Sequence, residues 1–265
     1  MIPNALLGPV LFCAASAFVC WMVSVLVDNY SQVDRLWSIL PSVYLGWFAA
    51  QAGFADLRLD LMFALSLLWG ARLTYNFARK GGYRWRGEDY RWPVLRQRMG
   101  KVGFQLFNAT FIAPYQNLLL LLITLPAYTA AQARTPLGWG DVACALAFLL
   151  FLVGETVADE QQWRFHEDKR RRSEAGELIP EPFLRTGLFA FSRHPNFFCE
   201  MAMWWCMYGF AVAATGAWWH STIVGTVLLT LLFQGSTTFT EQLTRAKYPS
   251  YAEYQARTSR LIPLP

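Results

Sequence analysis

The chain has 265 residues, 55% of them hydrophobic and only 15% charged, whereas a soluble domain carries about 25% charged residues. Its net charge is +5 and its pI about 9.0, but the basic residues stand in short loops beside apolar stretches, which argues against a nucleic-acid footprint and for membrane topology, anionic lipid or phosphate. The five cysteines form no CxxC pair and the three histidines no HExxH, so the cysteines read as small buried hydrophobes and no metal site is expected.

A membrane-spanning helix needs about 20 mostly apolar residues. Such stretches occur at 5–27, 38–54, 60–78, 112–133, 139–158, 197–215 and 218–239, the second and third short or interrupted. The first has no basic n-region and too long an apolar run for a signal peptide, so it reads as a true span. Seven spans put twenty of the 23 Lys and Arg residues on one side, in 28–37, 79–111, 159–193 and 241–265. The other side receives Arg58 and Arg134, and Arg72 lies inside the third span. The positive-inside rule then places the N-terminus outside and the C-terminus in the cytoplasm. The expected fold is an all-α integral membrane bundle of about seven transmembrane helices, with residues 1–265 as one transmembrane domain.

Polar residues at membrane depth come next. Gln32, Asp34 and Arg35 precede the second span, and Arg72 and Asn76 are four apart in the third, on one helical face. Glu155 and Asp159 are likewise four apart at the end of the fifth, Glu200 stands near the start of the sixth, and Glu241 closes the seventh. A charge at membrane depth usually faces a bundle interior, a partner or a wet cavity; at a helix end, snorkelling is the competing reading. Arg72, several residues from its helix end, reads as functional or as one half of a structural ion pair. Together these groups predict a shared pocket opening on the inner leaflet.

The loop 79–101 interleaves Arg with Tyr and Trp. Arg offers forked donors to phosphate and stacks on aromatic planes, while Trp and Tyr also anchor membrane interfaces; both readings stand. The run Lys169-Arg170-Arg171-Arg172 reads first as a topogenic or lipid-facing patch. There is no GxGxxG and no GxxxxGK[ST], so any nucleotide binds within the bundle and its loops.

Five segments carry a resemblance: SQVDRLWSILPSVYLGW (31–47), WGARLTYN (69–76), GEDYRW (87–92), RTGLFAFSRHPNFFCEMAMWW (185–205) and TEQLTRAKYPSYAEYQARTSRLIP (240–263). With them the chain resembles the bacterial DUF1295 group of the steroid 5-alpha-reductase superfamily over nearly its whole length. The resemblance implies NADPH enclosed by residues mainly from 69–101 and 155–260, and a lipid-soluble enone, such as a 3-oxo-delta-4 steroid, entering from the bilayer. It also implies a monomer with lipid and small-molecule partners and no nucleic acid, in a bacterial inner (cytoplasmic) membrane. Asn196 and Glu200 match the residues holding the nicotinamide end, Arg72 the third-helix Arg and Asp159 the Asp near the end of the fifth. Glu241, Arg245, Tyr248 and Tyr251 lie in the matching tail. The carbonyl-polarising pair falls on Gln32 and Asp34, and the tyrosine expected three residues before Arg72 is Trp69.

Reduction of a conjugated C=C needs a hydride source and a donor for the developing enolate oxygen. A desolvated carboxylic acid can remain neutral as that donor; Asp34 suits the role only away from Arg35, and a salt bridge at a helix start is the other reading. Cations for the pyrophosphate and the 2′-phosphate are expected from Arg84, Arg86, Arg91 and Arg193 in the loops and from Arg245 and Lys247 in the tail, with Tyr90 and Asn76 also expected among the cofactor-binding residues. His194 is expected to act as a loop hydrogen-bonding residue rather than a general acid. Two other functions share these features. The RHP–Glu block and Tyr-rich tail also resemble isoprenylcysteine carboxyl methyltransferases, which use S-adenosylmethionine. The absent tyrosine at Trp69 suits a non-catalytic sterol- or lipid-binding protein.

Overall fold

The computed structural model describes residues 4–179 and 181–264, and among these every regular element is helical. In chain order they are α1 (Asn4–Val27), α2 (Gln32–Leu36), α3 (Leu40–Gln51), α4 (Leu57–Arg79), α5 (Arg91–Phe107), a π-helical stretch (Asn108–Tyr115), α6 (Gln116–Leu122), α7 (Leu125–Ala133), α8 (Trp139–Glu174), a 3-10 turn (Gly187–Ala190), α9 (Pro195–Thr215), α10 (Ile223–Lys247) and α11 (Tyr251–Arg257).

Five helical stretches among the described residues are long and apolar enough to cross a membrane: Asn4–Val27, Arg91–Ala133, Trp139–Glu174, Pro195–Thr215 and Ile223–Lys247. The seven expected spans differ from these at the second and third. Helix α3 has 12 residues, roughly 18 Å of rise at 1.5 Å per residue, against a hydrocarbon core of about 30 Å. Helix α4 has 23 residues, but Arg58, Asp60, Arg72 and Arg79 interrupt its apolar character. The fifth expected span, 139–158, continues without a break to Glu174 as a 36-residue helix. Within the long stretch Arg91–Ala133, Gly100 takes φ 69° and turns the chain, a conformation open to glycine at little cost. Pro114, which lacks an N–H, falls in the π-helical stretch, where the wider hydrogen-bond spacing accommodates it.

The chain forms two compact units, one of the residues up to Ala145 with Cys206–Leu229, the other of Leu146–Trp205 with the residues from Thr230 onward. In the first unit, α3 and α4 meet through small residues spaced by four: Ser42 and Gly46, preceded by Ser38, against Ser66, Gly70 and Thr74. The Ser38 and Thr74 hydroxyls lie 2.7 Å apart, and the Ser42 hydroxyl donates to the Ser66 carbonyl at 2.9 Å. A Cβ on Gly70 would stand 2.5 Å from the Ser38 carbonyl oxygen, so only glycine permits this approach. Small residues are how helices pack closely where lipid removes the hydrophobic drive between them.

Arg58 and Asp141 form a buried pair in the same unit, 2% and 1% exposed, with Nε–Oδ1 at 2.6 Å and Nη2–Oδ2 at 2.8 Å. The guanidinium also donates to the carbonyls of Thr135 and Pro136 at 3.0 and 2.9 Å. Read from sequence as a loop charge, Arg58 is a structural clamp.

In the second unit, α8 packs on α9 with the rings of Phe151 and Phe198 edge to face at 5.9 Å. Gly154 makes room there for the Cys199 sulfur. The segment entering α9 is tied to the C-terminal tail by Arg193 N–H to Ser259 O at 2.8 Å and His194 N–H to Arg260 O at 3.1 Å. The Ser192 hydroxyl adds a bond to Leu261 O at 2.8 Å.

Candidate functional site

In the first unit, the segment 29–35 and the loop 82–92 hold each other through side chains. Asn29 Nδ2 donates to Gly87 O at 3.0 Å, Tyr30 N–H to Glu88 Oε1 at 2.9 Å, and Asp89 N–H to the Ser31 hydroxyl at 2.8 Å. Arg35 reaches into the loop and donates to the carbonyls of Gly82, Arg84 and Gly87 at 3.4, 3.1 and 3.2 Å. Gln32 uses both ends of its amide locally, Nε2 on Asn29 O at 3.0 Å and Oε1 accepting from Arg35 at 3.1 Å. Two of the resemblance motifs, SQVDRLW and GEDYRW, thus form one interlocked structure.

Asp34 is not paired with Arg35. Its Oδ2 accepts the indole N–H of Trp92 at 3.0 Å. Burial and the neighbouring Asp89 carboxylate push its pKa up, against the pull of Arg91 and the Trp92 and Ser31 hydrogen bonds. The Arg91 guanidinium grips Asp89 with Nε at 2.8 Å and Nη2 at 2.9 Å. This carboxyl is therefore predisposed to carry a proton, with one oxygen already accepting from indole. Arg84 and Tyr90 face outward from the loop, as does Trp85, 78% exposed. Farther along the chain in α4, the Nε and Nη2 atoms of Arg72 are buried, and Asn76 is buried and accepts from Arg79 Nε at 2.9 Å.

The second unit concentrates buried acids. Glu155 and Asp159 on α8, Glu200 on α9 and Glu241 on α10 are each 4–5% exposed. Helical spacing puts Glu155 and Asp159 on one face of α8, as Asn196 and Glu200 share one face of α9. Across the α8–α9 contact, Asn196 Nδ2 donates to Asp159 Oδ1 at 3.3 Å. Glu200 Oε1 accepts from the Trp204 indole at 3.1 Å.

Glu241 has a different occupation. Arg193 grips it with Nε at 2.6 Å and Nη2 at 3.1 Å, while Gln255 Nε2 donates at 2.9 Å and His194 Nε2 lies 3.1 Å from Oε1. The remaining Arg193 nitrogen donates to the carbonyls of Gln255 and Thr258. Arg193, assigned from sequence to phosphate, spends its guanidinium on closing the tail, and Glu241 serves the same closure. The His194 backbone N–H bonds Arg260 O at 3.1 Å, so its segment is tied to the tail as well. Tyr251 and Tyr254 pack on Phe183 at 5.0 and 5.6 Å, and burial pushes both phenols above the usual tyrosine range. Tyr248 lies at the same ring, 6.4 Å from Phe183, and Lys169 Nζ donates to its hydroxyl at 3.0 Å. Arg245 is exposed at the end of α10.

The structure therefore brings together Asp159 with Asn196, and Arg193 with His194 and Glu241. Arg72, Asn76, Arg84, Tyr90 and Arg91 belong to the first unit and those five to the second. The sequence reading missed Trp92, Arg58–Asp141, Gln255 and Lys169 as organising residues. The GEDYRW motif held the signal for Trp92. The pairing of Lys169 with Tyr248, 79 positions later, had none. The other basic residues of that run behave as a solvated helix face, with Arg170 on Glu167 and Arg171 and Arg172 on Asp168, three or four residues apart. Among the described residues no cluster of three or more metal-ligating side chains occurs.

The family model described as "Protein of unknown function (DUF1295)" matches residues 20–258. A Schizosaccharomyces pombe relative named as uncharacterized protein C594.04c is 39% identical over 262 residues, covering 92% of this chain and 76% of its own length. That relative is a yeast protein, so it lends no support to the expected bacterial inner membrane. No solved structure matches.

Proposed function

The chain belongs to the DUF1295 family, and we propose that it is a membrane reductase of the steroid 5-alpha-reductase type, using NADPH to reduce a conjugated C=C bond in a lipid-soluble enone. The observation that carries this reading is the set of buried carboxylates on α8 and α9, Glu155, Asp159 and Glu200, with Asn196 bonded to Asp159. Acidic groups in apolar helices are costly, and they persist where they serve a ligand or a pathway. The seven crossings, the outside N-terminus and the cytoplasmic C-terminus read from the Lys/Arg asymmetry belong to the same proposal.

The donor and acceptor set fits such a cofactor. Asp159, Glu200 and Asn196 would hold ribose hydroxyls and a carboxamide, all of which present N–H or O–H to carboxylates. Bound NADPH supplies the hydride; the protein supplies orientation and electrostatics. Asp34, with its raised pKa and its indole partner, is an acid suited to hold a proton, and Gln32 accepts from Arg35 within the same segment. The Trp92 indole N–H holds Asp34 in place.

The test is thermal stabilisation of the detergent-solubilised protein by NADPH, NADH and S-adenosylmethionine in parallel. Saturable stabilisation by NADPH is expected. Stabilisation by S-adenosylmethionine alone would replace the reductase with the carboxyl methyltransferase. Cofactor binding without turnover on a panel of enones would leave a lipid-binding protein.

A further inference from the structure

Tyr248 sits at the end of α10 in the grip of two ammonium groups. Lys169 Nζ lies 4.8 Å from its ring centroid and donates to its hydroxyl at 3.0 Å, and Lys247 Nζ lies 5.3 Å from the same ring. Both lysines draw the phenol pKa below the ordinary tyrosine value, Lys169 the more strongly. Among the described residues neither lysine has a carboxylate within 4.0 Å, although the neighbouring Arg170, Arg171 and Arg172 all do. Two like charges held at one ring without a counter-charge repel each other, and an anion between them removes the penalty.

The donor count agrees. An ammonium has three N–H donors. Lys169 directs one to the Tyr248 oxygen and one to the Pro182 carbonyl at 2.5 Å, which leaves a third. Because the Tyr248 oxygen accepts from Lys169, its own O–H is directed elsewhere. One ammonium donor from Lys169, one hydroxyl donor from Tyr248 and the Lys247 head are gathered at one ring, a set of donors suited to a phosphate dianion with several acceptor oxygens.

Height above the bilayer selects the source of that phosphate. Lys169 comes eleven residues after position 158, where the apolar part of α8 ends, or ~16 Å of helical rise. Lys247 comes eight residues after position 239 in α10, or ~12 Å. A headgroup layer is about 5–7 Å deep on each side, so the cluster stands beyond it.

We infer that Lys169, Lys247 and Tyr248 bind a phosphate monoester carried by a water-soluble ligand, which, resting on the reductase reading, is the 2′-phosphate that distinguishes NADPH from NADH. The experiment measures binding of adenosine 2′-monophosphate, adenosine, NADPH and NADH to the full-length detergent-solubilised protein, and its stability in nanodiscs with and without phosphatidic acid. Wild type is compared with Lys247→Gln, Tyr248→Phe and Lys169→Gln; the first two leave the Pro182 contact intact if Lys169→Gln fails to fold. Lys247→Gln is expected to weaken adenosine 2′-monophosphate and NADPH about tenfold and leave NADH unchanged. If adenosine 2′-monophosphate binds through the lysines but NADPH does not bind, the phosphate site stands and the reductase reading falls. If NADPH binds and all three variants keep the wild-type NADPH/NADH ratio, the reductase reading stands and this site falls. Lysine-dependent stabilisation by phosphatidic acid, with no binding of adenosine 2′-monophosphate, overturns the soluble-ligand assignment.

Discussion

Arg193 meets Glu241 edge-on, with Nε 2.6 Å from Oε1 and Nη2 3.1 Å from Oε2, both side chains under 10% exposed. Through this pair the RHP segment at the start of α9 is fixed to α10, and through the third guanidinium nitrogen to the tail carbonyls. Arg193 thereby ties its own segment to two others, with partners 48 to 65 positions further along the chain.

Removing one partner of this pair leaves a buried charge unmatched, which typically costs 3–5 kcal/mol. Arg193→Ala is expected to lower unfolding stability by about that amount. Arg193→Ala with Glu241→Ala is expected to cost less than the sum of the two single changes. Denaturation in detergent micelles checks this, and strictly additive losses would show that the pair does not couple.

Asp34 gives a pH dependence. Its native pKa lies above the ordinary carboxylate value, so the native state holds this proton to higher pH than the unfolded chain does. The stability it contributes is complete below about pH 4 and is lost as pH rises through the native pKa. Asp34→Asn removes the titration, while its amide oxygen can still accept from Trp92. The variant's melting temperature is therefore expected to gain on wild type as pH rises. A variant melting temperature that falls relative to wild type as pH rises would contradict the reading.

Arg58 and Asp141 offer a contrast between breaking and replacing a pair. Arg58→Met alone is expected to destabilise by roughly 3–5 kcal/mol, and Arg58→Met with Asp141→Leu to recover most of the loss. Thermal unfolding of the three proteins decides it; a double variant no better than Arg58→Met would place the stabilisation in the Thr135 and Pro136 carbonyl contacts instead.

Much of the helical layout was legible because apolar length is a local property: α1, α8, α9 and α10 begin within a few residues of their expected starts. The second and third spans were not, because α3 is 12 residues long and α4 carries four charges, so hydropathy alone separates them poorly from packed, partly polar helices. At the candidate site, residue type was readable but occupation was not. Arg193 and Glu241 looked like ligand groups because a sequence names a cation without naming its partner. Lys169 looked like part of a topogenic run because its partner, Tyr248, comes at the far end of α10. Asp34 was separable from Arg35 only once Trp92 was seen to lie beside it.

In the proposed reductase, the buried carboxylates Glu155, Asp159 and Glu200 on α8 and α9 are kept for the cofactor. Glu200→Gln tests it most directly, because the amide keeps the size of the side chain and an oxygen for the Trp204 indole. NADPH titration of the folded variant, against wild type with melting temperature as the control for folding, is expected to show affinity reduced about tenfold or more. A Glu200→Gln protein that melts like wild type and binds NADPH with unchanged affinity would contradict the account.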